Sequence, residues 1–142
     1  MSHTSGHGLL VCQIANREAP ARVVWADDAA IAFLDIAPAT PGHTLVIPRA
    51  HADDLWSIRP AEIQKVSLAM REVAALLRAP LPLSGLSVLQ ANGRAAWQSV
   101  FHLHFHLVPR YHHAELALPW IPRAAPKAEL DAVHQILNGT NG

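Results

Sequence analysis

The sequence predicts an α+β fold: a five-stranded antiparallel sheet with one long helix and a short C-terminal helix on one side of it. Three observations lead there. Short runs rich in Val, Ile, Leu and aromatic residues fall into two groups. A long segment with a single apolar stripe separates them, and Pro, Gly, Asn or Asp marks most junctions.

Taken in order, Arg22 to Ala26 reads as the first strand, Asp27-Asp28 as a turn, and Ala29 to Phe33 as the other arm of a hairpin. The segment from Ala37 to Gly42 holds two prolines and a glycine, which cannot continue a strand. A third strand follows over His43 to Ile47 and is stopped by Pro48. From Pro60 to Arg78 the residues Ile63, Val66, Met70, Val73 and Leu77 recur at steps of three or four, the spacing of one helix face. Pro60 suits the first helical position, where its missing N–H is not needed, and Glu62 places a carboxylate near the positive end of the helix dipole. Pro80 and Pro82 end the helix. Leu86 to Gln90 reads as a fourth strand, Asn92 to Ala96 as a loop, and Val100 to Val108 as a fifth strand closed by Pro109. A short helix over Ala128 to Leu137 precedes Gly139. The N-terminus is expected to fray, and the whole of 1–142 reads as one domain without an internal boundary.

Composition narrows the function. A chain of 142 residues, 51% hydrophobic and 15% charged, can bury one real core. The formal charge is zero and no basic cluster occurs, which argues against nucleic acid as a partner. Cys12 is the single cysteine, so no internal disulfide can form and nothing points to an oxidising compartment. The N-terminus lacks a basic segment, and Leu9-Leu10-Val11 is shorter than a signal-peptide core. No stretch reaches the ~20 apolar residues of a membrane helix. The expected location is the cytoplasm, away from the membrane.

The odd statistic is ten histidines, three of them at positions 102, 104 and 106. On a strand alternate side chains share a face, so His102, His104 and His106 are expected to line one side over ~13 Å, at a ~3.3 Å rise per residue. Phe101, Leu103, Phe105 and Leu107 then face the core. Three neighbouring imidazoles are a poor packing solution, since each ring brings a donor and an acceptor and adjacent imidazoliums repel. Such a set is expected to titrate as a coupled group near neutrality. A polar sheet face, a zinc site and a catalytic row all remain open at this point. Gln98-Ser99 just before the row favours catalysis, because a turn with exposed N–H groups and a hydroxyl can cradle a phosphate without lysine.

The stretch Gln98-Ser99-Val100-Phe101-His102-Leu103-His104-Phe105-His106-Leu107-Val108 resembles the His-φ-His-φ-His-φ-φ motif of the histidine-triad (HIT) family. The resemblance extends to Ala32–Pro38, Thr40–His51 and Asn92–Ala96, and spans roughly residues 9–111, leaving 112–142 as a C-terminal extension. It implies a homodimer joined through its sheets, and hydrolysis or transfer at the α-phosphate of a purine nucleotide through a nucleotidyl-histidine. It also implies roles for individual residues. His104 is the nucleophile; His106 and Ser99 contact the phosphate and the leaving atom; His102 and His43 complete the histidine cluster that orients His104. Asp35 accepts the ribose hydroxyls, and Ile36 and Phe33 line the base pocket. Asn92, Trp97 and Gln98 belong to the phosphate-binding loop. No cofactor is implied.

Four departures from the family pattern stand out. Many members carry Cys-x-x-Cys near the N-terminus and bind structural zinc with it; here Leu9 stands in the first position, leaving Cys12 and His51, and no zinc is expected. Ala91 replaces an asparagine of the phosphate loop. Trp97 replaces a glycine, where φ > 0 would suit glycine and not tryptophan. The stretch from His112 to Pro126, with Trp120, follows no recognisable pattern. Gln-Ser before the triad favours nucleoside phosphoramidates over dinucleotide polyphosphates as substrates. Two other functions stay in view: a non-catalytic nucleotide-binding or sensing protein, and a zinc-dependent protein with His102, His104 and His106 as ligands.

Overall fold

The computed structural model describes residues 6–15, 20–112, 116 and 120–141. Its elements in chain order are α1 (Gly6–Ala15), β1 (Val23–Ala26), β2 (Ala30–Leu34), β3 (Thr44–Pro48), α2 (Pro60–Arg78), β4 (Gly85–Leu89), a 3-10 turn (Arg94–Ala96), β5 (Phe105–Arg110) and α3 (Lys127–Asn141). The five strands form one antiparallel sheet in the order β1-β2-β3-β5-β4. Among the described residues no helix is long and apolar enough to cross a membrane.

Strand alternation divides the core into two layers. Ala30, Ala32, Val46, Phe105 and Leu107 point to one face, where Val66, Ala69, Val73 and Leu77 of α2 bury against them. Ile31, Phe33 and Ile47 point to the other, where they meet Val11, Ile14 and Ala15 of α1. The helix stripe read from the sequence is therefore the buried one, with Ile63 and Met70 packed at its margin. The expectation of helices on one side only is corrected by α1. Ten residues make a helix too short to persist alone, so the burial of its apolar positions on the sheet holds it. Residues 1–5 of the segment expected to fray lie outside the described residues, as do 113–115 and 117–119 of the extension.

The sequence reading started the fifth strand at Val100; the structure starts it at Phe105. The ladder to β3 runs over Thr44–Leu107, Leu45–His106 and Val46–Phe105. Two residues further along β3 comes Pro48, which has no N–H to donate. Its carbonyl instead accepts from the ring of His102 at 2.8 Å, and the backbone N–H of Leu103 turns to the carbonyl of Ala52 at 2.7 Å. His102 and His104 thus stand on an irregular segment ahead of the strand. At Gly42 (φ +89°) an added Cβ would lie 2.7 Å from Leu81 Cδ1, so glycine is needed for the turn that delivers His43 to β3.

Candidate active site

In-register partners place Phe33, Leu45, His106 and Leu89 in a row across β2, β3, β5 and β4. Above this row lies a cavity of about 790 Å³, a size that suits a nucleotide. His104, His106, Ser99, Gln98, Trp97, Asp35, Ile36 and Phe33 all line it.

The hydrogen bonds decide which nitrogen of each ring carries a proton. The N–H of Ala39 donates to His43 Nδ1 at 3.0 Å, so the His43 proton sits on Nε2. That Nε2–H donates to His106 Nδ1 at 2.9 Å, which leaves a neutral His106 with its proton on Nε2. His104 Nδ1 lies 2.8 Å from the carbonyl of His102 and donates to it. The lone pair of His104 is therefore on Nε2, the position a nucleophile requires. The His104 and His106 rings lie edge to face, 4.9 Å between centroids.

Burial holds His43 and His106 neutral. It pushes the pKa of His106 down to about 4, with the neighbouring His104 and His43 adding to the shift. Burial also lowers the pKa of His43, against a weaker opposing pull from Asp35, whose Oδ2 lies 3.6 Å from Nε2. Asp35 Oδ1 accepts the N–H of Ala37 at 2.8 Å, which fixes the carboxylate at the end of β2.

The loop before the triad is anchored by Gln98, which is buried. Its Oε1 accepts the N–H of Gly93 at 2.7 Å, and its Nε2 donates to the carbonyls of Asp53 and Val100 at 2.6 and 3.0 Å. Gln98 thus acts as a brace that sets Ser99 and Trp97 at the cavity, its side chain engaged by backbone groups.

Three expected site residues do not line the cavity, and the first, His43, stands behind His106, to which it is hydrogen-bonded. Asn92 Oδ1 accepts the N–H of Leu55 at 2.7 Å, while its amide pairs with Gln90 at 2.6 Å, so it clamps the loop and does not line the cavity. The ring of His102 is 1% exposed and belongs to a second cluster beside α1. His102 reaches His104 only through its backbone carbonyl. The shared face predicted for all three histidines holds for His104 and His106 alone, because the ladder ends before His102. The sequence reading in turn missed Val11, Ile14, Leu45 and Val100, which supply apolar wall to the cavity. Leu10-Val11 and Ile14 at helical spacing carried that signal for α1.

In the second cluster Cys12 Sγ lies 3.3 Å from His102 Nδ1 and 3.6 Å from His51 Nδ1. His102 Nε2–H is spent on Pro48, and His51 Nε2 lies 2.7 Å from Asp53 Oδ1. The Nδ1 atoms of both histidines face one sulfur. Burial raises the Cys12 pKa, helped by the Asp53 charge, so the group is a thiol with one proton for two acceptors. Three such donor atoms within 4.8 Å of one another fit a soft divalent cation with one ligand position left open. The expectation that rested on Cys12 and His51 alone is revised to that extent: His102 is a third donor.

Comparison with known proteins gives the family. The HIT domain family model matches residues 16–113. An uncharacterized HIT-like protein of Methanocaldococcus jannaschii is 38% identical over 102 residues, 72% of this chain and 78% of that protein. A crystal structure of a HIT family member from Bacillus subtilis superposes with a TM-score of 0.85 at 31% identity, covering 92% of this chain and 94% of the other. A histidine triad nucleotide-binding protein from Candida albicans does so with a TM-score of 0.76 at 32% identity, covering 92% and 94%.

Proposed function

The chain belongs to the HIT domain family, and from that premise we propose that it is a nucleotide hydrolase or transferase acting at the α-phosphate of a nucleoside phosphoramidate or dinucleotide polyphosphate. The observation that carries this reading is the tautomer of His104: Nδ1–H tied to the His102 carbonyl, lone pair on Nε2, in a cavity shared with His106 and Ser99.

In the first step His104 Nε2 bonds to the α-phosphorus as the P–N or P–O bond to the leaving group breaks. A polyphosphate leaves with the bonding pair as an anion, whereas an amine also takes up a proton from the open cleft. His106, neutral with its proton on Nε2, offers a hydrogen bond to the phosphoryl oxygens or the leaving atom, and Ser99 adds a hydroxyl. Each such donor aimed at developing charge is worth ~10²–10³ in rate. Water then attacks the same phosphorus, the P–N bond to His104 breaks, and a nucleoside monophosphate leaves with His104 restored. Asp35 suits the ribose diol, two acceptor oxygens for two donors, and Phe33, Leu45 and Ile36 suit an apolar base.

A cation held by Cys12, His51 and His102 would supply no charge to this chemistry; it would bind α1 to the sheet and steady residue 102. The edge strand β4, with Val88 and Leu89 exposed, suits continuation of the sheet into a second copy. Sedimentation at micromolar concentration is expected to give a dimer, and a Val88→Lys variant a monomer. A monomeric wild-type protein would remove this part of the proposal.

The test of the chemistry is a single-turnover reaction with an adenosine phosphoramidate, quenched without acid to preserve an acid-labile adenylyl-protein. His104→Ala is expected to abolish the intermediate and lower the rate by ~10⁴ or more. A wild-type rate in that variant overturns the assignment.

A further inference from the structure

Trp97 is the one non-glycine residue with positive φ among the described residues, at φ 71° and ψ 23°. A bulky side chain is disfavoured in the left-handed region, where glycine would sit without strain. Its indole is 83% exposed, although tryptophan is among the side chains that gain most from burial. Strain in the backbone and exposure of the ring are separate penalties at a single residue.

The surroundings keep it there. The N–H of Trp97 donates to the carbonyl of Arg94 at 2.9 Å, and the next residue is Gln98 with its three hydrogen bonds to backbone groups. The backbone at Trp97 cannot be rearranged without disturbing that brace. The indole also lines the cavity that holds His104 and Ser99.

Sheet order says which side of the cavity it serves. Asp35 and Ile36 leave the sheet from β2, at one end of the row Phe33–Leu45–His106–Leu89. The loop bearing Trp97 leaves from β4, at the other end, after Leu89. For a nucleotide with its ribose at Asp35 and its phosphorus at His104, Trp97 is a further wall of the same cavity, open to the leaving group.

From this we infer that Trp97 is a stacking platform that selects substrates whose leaving group carries a planar aromatic ring. The inference rests on the proposed function and deepens it. Two leaving groups share that chemistry, a second nucleobase on a polyphosphate chain and an aryl-bearing amine. A flat π face without hydrogen-bond readout accepts either.

Two substrate pairs test it, each setting a ring-bearing leaving group against one without a ring. One is diadenosine tetraphosphate against adenosine 5′-tetraphosphate; the other is the adenosine phosphoramidate of phenethylamine against that of n-hexylamine. Wild-type protein is expected to favour the ring-bearing member by about tenfold in kcat/KM in at least one pair, and the pair with the larger preference identifies the leaving group. Trp97→Gly, whose backbone suits φ 71°, is expected to raise the melting temperature while the preference collapses toward one. Trp97→Phe is expected to keep most of it.

A preference that survives Trp97→Gly, or none in wild type despite turnover of all four compounds, overturns the role of Trp97 and leaves the proposed function intact. Wild-type protein that cleaves none of the four overturns both.

Discussion

His102 and His104 are two residues apart, carry the same ring and come from the same motif, yet they end in clusters with opposite characters. His104 joins His106 and His43 at a cavity, its Nδ1 tied to a carbonyl and its Nε2 lone pair left for chemistry. His102 is closed in, with Nε2 on the Pro48 carbonyl and Nδ1 against the Cys12 thiol. The difference lies in what each ring nitrogen meets. A histidine whose nitrogens are both engaged by protein is structural, and one that keeps a lone pair toward a cavity is available to a substrate.

The widest separation of the two should come from exchanging the same substitution between them. His104→Ala is expected to lose ~10⁴ or more in turnover while stability moves by under ~1 kcal/mol. His102→Ala leaves the Pro48 carbonyl buried without its partner and opens a hole beneath α1, for an expected loss of ~2–4 kcal/mol by urea unfolding. Equal stability losses in the two variants would erase the distinction drawn here.

The cation-binding capacity of the closed cluster is the next contrast. Zinc at about 100 times its dissociation constant is expected to stabilise wild type by ~2.7 kcal/mol, read as a rise in melting temperature. Cys12→Ala, which removes one of three donors, is expected to lose that response, while His104→Ala is expected to keep it. A response that depends on His104 instead would assign the metal to the open cluster.

The last contrast is in pH dependence. The folded state holds His43 and His106 below the ordinary histidine value of 6.5, His106 down to about 4. Between those values the unfolded chain binds more protons than the folded one, so stability rises with pH through that window. The contribution is complete above about pH 6.5 and is lost as pH falls toward 4. His106→Gln is expected to flatten this limb in a series of melts from pH 4 to 7.5; an unchanged slope would show that His106 is not held neutral by burial.

How much of the site was legible varied residue by residue. Asp35, Phe33, Ile36, Ser99, His104 and His106 were placed at the cavity by the family resemblance and line it. Asn92 was not foreseen correctly, because its role is set by the N–H of Leu55 and the side chain of Gln90, contacts that no local pattern announces. At Trp97 the expectation that tryptophan would not take φ > 0, so that the loop would be re-shaped, is corrected: the residue is held at φ 71°.

Taken alone, the sequence determined the order of the five strands with α2 and α3, the buried stripe of α2 and the side of the chain on which Leu103, Phe105 and Leu107 lie. These follow from periodicity, which is local and survives in any window of residues. Tertiary structure decided where β5 begins, that α1 forms and covers the second face, and that His102 turns from the triad to Cys12 and His51. The first and last of those hang on distant partners of His102, Pro48 at 54 residues and Cys12 at 90, and α1 hangs on the apolar sheet face it covers. A repeat of alternate residues says which face a ring points to, but not where a proline stops the ladder or which atom then satisfies the ring.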